Sequence, residues 1–88
     1  MKSEIVKEEV INIIVEKIGI EKETLYRYGS DRSFFDISIG LKPRDLLTLF
    51  FELQKKYDII FEEKDIIEKR FDYLNNMVDA IIEKQASE

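Results

Sequence analysis

The chain has no cysteine, no histidine and no tryptophan, one proline and three glycines. Without cysteine there is neither a disulfide nor a thiolate metal site. Without histidine the commonest general base and the commonest metal ligand are gone. Carboxylates remain as hard-cation ligands, but no calcium-loop spacing occurs. Tyr26, Tyr28, Asp31 and Asp36 lie close in sequence yet form no recognised nucleophile–base pair. We therefore expect no catalytic residues, no metal and no enzyme activity. No apolar run approaches the ~20 residues of a membrane span. Residues 1–9 are charged and lack a signal-peptide core, so we expect a cytoplasmic protein that does not engage a membrane. The net charge of −5 disfavours nucleic acid, whose phosphates need clustered lysine and arginine.

What is present suits one small folded unit. Eighty-eight residues make a single domain, 1–88, with a core over about 3–82 and a frayed tail at 83–88. A content of 44% hydrophobic and 38% charged residues fits a compact core rather than disorder. Ser3 is placed to cap a first helix, with Glu4 in its first turn. Val6, Val10, Ile13, Ile14 and Ile18 recur at helical spacing, and Gly19 suits the left-handed exit. Residues 26–42 read as a long loop, with Gly29, Ser30, Asp31, Ser33, Ser38 and Gly40 as turn residues. Phe34 and Phe35 are the anchors such a loop needs.

A second helix is expected from about Pro43, at N1, to Tyr57. Leu47, Phe50, Leu53 and Tyr57 share one face, which Leu46 extends. Leu49 and Phe51 are left partly outward, either as core or as docking contacts. Residues 61–68 suggest a short third helix. Asp72 suits the N-cap of a last helix whose apolar face carries Leu74, Met77, Val78 and Ile81. Periodicity alone gives an all-α, small helical bundle.

Several local strings add a resemblance. Ile18-Gly19-Ile20 through Leu25, Ser33-Phe34-Phe35-Asp36-Ile37, Ile39-Gly40, Leu53 through Tyr57-Asp58-Ile59, and Phe71 through Ile81 stand in one order along the chain. Together they resemble the acyl or peptidyl carrier proteins, over about residues 3–82. No single string is diagnostic. The resemblance implies a four-helix acyl-carrier-like bundle with a long loop between helices one and two and a short third helix.

Two departures from that pattern bear on function. Carriers attach a phosphopantetheine arm to a serine at the start of helix two. Counting back from Tyr57 puts Pro43 at that position, and proline has no hydroxyl to modify. Ser38 is the nearest hydroxyl, five residues out of register; it is the attachment site under an alternative reading, a genuine carrier. The second departure is charge. Helix two of carriers is acidic, whereas residues 42–56 carry Lys42, Arg44, Lys55 and Lys56 against Asp45 and Glu52. Residues 59–88, with eight acids and four bases, hold most of the negative charge. Inverted charge reverses the steering toward ordinary carrier partners.

The sequence also looks like the acyl-carrier-related proteins of bacterial bacteriocin-type peptide maturation that lack the serine. That resemblance implies a docking protein without a cofactor, whose partner is a modifying or biosynthetic enzyme or its peptide substrate. It places partner contacts at Arg44, Leu47 and Phe51, and puts Lys42, Thr48 and Lys55 where carriers have acids. A monomer is expected. A dimer through Leu46, Leu49, Phe50 and Phe51 is the structural alternative.

Overall fold

The structure, a computed structural model, describes residues 2–29, 31–62 and 72–86. Helix α1 spans Lys2–Ile13 and buries Val6, Val10 and Ile11. Ser3 lies inside its first turn rather than at its cap. The helix then widens into a π-helix over Ile14–Ile18, where the Gly19 N–H reaches back five residues to the Ile14 carbonyl at 3.0 Å. Gly19 closes it at φ 95°, a left-handed conformation that glycine adopts without a Cβ clash. The buried set differs from one stripe: Ile11 is fully enclosed, while Ile13 and Ile18 are only partly buried. Helix α1 contacts the second, third and last helices, so its apolar arc is wide enough to include Ile11.

Residues expected to begin a long loop instead continue a short helix, α2, Lys22–Tyr28. Glu23 sits in its first turn and Leu25 is buried. Tyr28, one turn on, packs at the core margin. The connection to the third helix, residues 29–42, is still long, and it is tied down. Phe34 is fully buried and Phe35 is 45% exposed, so only one of the expected pair anchors it. Phe34 N–H donates to the Asp72 carbonyl at 2.6 Å, and Ser33 Oγ donates to the Asp72 carboxylate at 2.9 Å. Ser33 also forms an isolated antiparallel bridge with Tyr73. Asp72 stands two residues before Leu74, where the last helix begins, and its carboxylate ties the loop to that helix.

Helix α3 spans Pro43–Tyr57. Lys42 is extended, as the residue before a proline prefers. Pro43 stands at the first helical position, and the Asp45 carboxylate accepts the Lys42 N–H at 3.1 Å. Asp58 ends the helix at φ 54°. The inward face is Leu46, Leu49, Phe50 and Leu53. This corrects the expected arc at two positions: Leu49 faces the core and Leu47 faces out. Positions 46, 49, 50 and 53 follow the i, i+3, i+4, i+7 rule, which leaves 47 on the far side.

After α3 the chain alternates: Ile59 and Phe61 are buried and Ile60 is 76% exposed. Phe61 lies 5.7 Å from Phe50, ring to ring, and its N–H donates to Gln54 Oε1 at 2.8 Å. Phe61 and Glu62 are not helical. The rest of the expected third helix lies outside the described residues, as do Ser30 and Phe71. Helix α4, Leu74–Ala86, buries Leu74, Met77, Val78, Ala80 and Ile81. It runs on through Glu83 to Ala86, residues expected to fray.

Among the described residues there is no strand. The protein is all-α, with α1 packed chiefly on α4 and the π segment on α3. The radius of gyration is 12.0 Å, close to the ~12 Å of a folded chain of this length. No helix among the described residues is long and apolar enough to cross a membrane.

Candidate functional site

Burying 46, 49, 50 and 53 fixes what α3 shows to solvent. Leu47 is 65% exposed and Phe51, one turn on, is 70% exposed. Arg44 and Thr48 lie beside them at helical spacing, and Lys55 continues the same side; all three are exposed. Lys42 precedes the helix and is also exposed. Arg44, Leu47, Thr48, Phe51 and Lys55 therefore share one outward side of α3, with Lys42 exposed just before it. Leu47, Thr48, Phe51 and Glu52 line an open, shallow depression on it. The Thr48 hydroxyl donates to the Arg44 carbonyl at 3.2 Å, which holds it against the helix.

The charges around this depression are mostly of one sign. Lys42, Arg44 and Lys55 form no ion pair among the described residues. The two acids of the helix, Asp45 and Glu52, are half-buried, and Asp45 is engaged with the Lys42 N–H. Lys56 belongs to the other side. Its Nζ pairs with Glu9 Oε2 at 3.3 Å, and the Tyr57 hydroxyl donates to Glu9 Oε1 at 3.0 Å. Glu9 thereby pins the end of α3 to α1. Burial, and then the bond to the Glu9 carboxylate, push the Tyr57 phenol well above its ordinary range.

The two positions where an arm was considered are equally plain. Pro43 is exposed at the start of α3 and offers no nucleophile. Ser38 is half-buried, with its hydroxyl donating to Asp36 Oδ1 at 2.6 Å and its N–H to the same oxygen at 3.0 Å. Those two bonds, with the Arg32 guanidinium 3.8 Å away, hold the Asp36 carboxyl below the usual carboxylate range. Such a serine is part of a loop turn.

Several exposed apolar side chains escaped the sequence reading, among them Ile5 on α1, Ile60 after α3, and Phe35 and the 98% exposed Ile37 in the loop. The loop has no period to reveal the last two. Backbone bonds decide which residues turn in: Asp36 N–H to the Ser33 carbonyl, Ile39 and Gly40 N–H to the Asp36 carbonyl, and Leu41 N–H to the Phe34 carbonyl. Ile39 and Leu41 turn inward and Ile37 does not. Among the described residues no group of three or more acidic or sulfur or imidazole ligands is placed to hold a metal. The dimer surface considered from the sequence is not available, since Leu46, Leu49 and Phe50 are core. No family model, curated protein or solved structure matches this chain.

Proposed function

We propose that this protein is a non-enzymatic docking module: a four-helix acyl-carrier-like domain that has lost the phosphopantetheine serine and binds a partner through the outer face of α3. The partner is a modifying or biosynthetic enzyme, or the peptide it acts on, as in peptide maturation of the bacteriocin type. The observation that carries this reading is the pair Leu47 and Phe51, exposed one turn apart on a helix whose other apolar residues are buried. Exposed apolar neighbours rimmed by charge are the usual make-up of a docking contact. Pro43 at the start of that helix and the tied hydroxyl of Ser38 favour docking over carriage.

The test is intact mass. The protein is measured as purified, and again after coenzyme A and a promiscuous phosphopantetheinyl transferase. An unchanged mass in both is expected. Addition of the arm, mapped to Ser38, would make this a working carrier and end the docking-only reading.

A further inference from the structure

The outer face of α3 also carries information about what it binds. We propose that its occupant is an acidic peptide segment, presenting apolar side chains to Leu47 and Phe51 and carboxylates to Arg44, Lys42 and Lys55. This rests on the docking reading and specifies the chemistry of the partner.

Charge complementarity selects the occupant. The chain as a whole carries −5, yet the exposed charges around this face are Lys42, Arg44 and Lys55, against the half-buried Glu52. Lys42 and Arg44 lie at one end of Leu47–Phe51 and Lys55 at the other, all exposed and without an ion pair among the described residues. Such cations are not needed to balance neighbours within the fold. Placed around two apolar anchors, they favour an anionic occupant and repel a cationic one. The same arrangement disfavours a second copy. A two-fold antiparallel crossing of α3 centred between Leu47 and Phe51 sets Lys42 and Arg44 opposite Lys55 of the other chain. Like charges then face each other at both ends.

Two synthetic helical peptides test this, identical in their leucine positions, one with glutamate and one with lysine at the flanking sites. Each is titrated into the isotopically labelled full chain and followed by amide chemical shifts. The glutamate peptide is expected to shift the amides around Leu47, Phe51 and Lys55, and the lysine peptide to bind more weakly. Arg44→Glu together with Lys55→Glu should change that preference by about tenfold toward the lysine peptide. Equal binding of both peptides at α3 would overturn the charge assignment while leaving docking intact. Shifts confined to other surfaces would overturn the docking reading as well. Sedimentation of the protein with anionic phospholipid vesicles, absent any response to the glutamate peptide, would assign the face to a lipid surface instead. Self-association in sedimentation velocity that removes the peptide response would assign it to a second copy.

Discussion

Phe50 and Phe51 are adjacent in the chain, yet one side chain of α3 turns inward and the other outward. Phe50 is 8% exposed and meets the ring of Phe61; Phe51 is 70% exposed. Their chemistry is identical, so composition does not separate them. The helical repeat does, because a step of one residue turns the side chain by about 100°. A core built on 46, 49, 50 and 53 takes one and excludes the other. An aromatic side chain 70% exposed gains little burial energy, so Phe51 contributes little to folding.

That contrast is sharpest in stability. Phe50→Ala should cost about 3–5 kcal/mol and lower Tm by more than about 10 °C in calorimetry. Next in size is the π-helix that packs on the inner face of α3. Gly19→Ala should cost about 1–2 kcal/mol in urea unfolding, since an alanine at φ 95° is strained while space around it is open. Tyr57→Phe should cost about 1 kcal/mol at neutral pH by removing the bond to Glu9. The raised Tyr57 pKa favours the protonated phenol in the folded state. Its contribution is therefore complete below the unfolded value of about 10 and is lost as pH rises beyond it. Alkaline unfolding of Tyr57→Phe should be shallower than that of the natural chain, though not abolished, because Tyr26 also donates to Glu8 and has a raised pKa. The smallest effect belongs to Phe51→Ala, within about 0.5 kcal/mol of the natural chain in the same urea series. A large loss there would break the comparison and place Phe51 in the core.

How much of this was readable beforehand follows from the same physics. The span of α3 and the apolar face of α4 were legible because period and Pro43 agree. The outward placement of Arg44, Thr48 and Lys55 was legible for the same reason. Leu47 and Leu49 were not, because six apolar residues crowd positions 46–53 and several arcs fit them equally well. Helix α2 was missed since seven residues hold too few periodic positions to stand out from turn chemistry. Ile37 and Phe35 were hidden because hydrogen bonds within the loop, not side-chain period, set their direction.

The π-helix at Ile14–Ile18 also turns the end of the first helix about its own axis. A π turn carries an additional residue relative to the α turn it replaces. Within the first helix, the residues of the π turn are consequently rotated from where a continuous α-helix would place them.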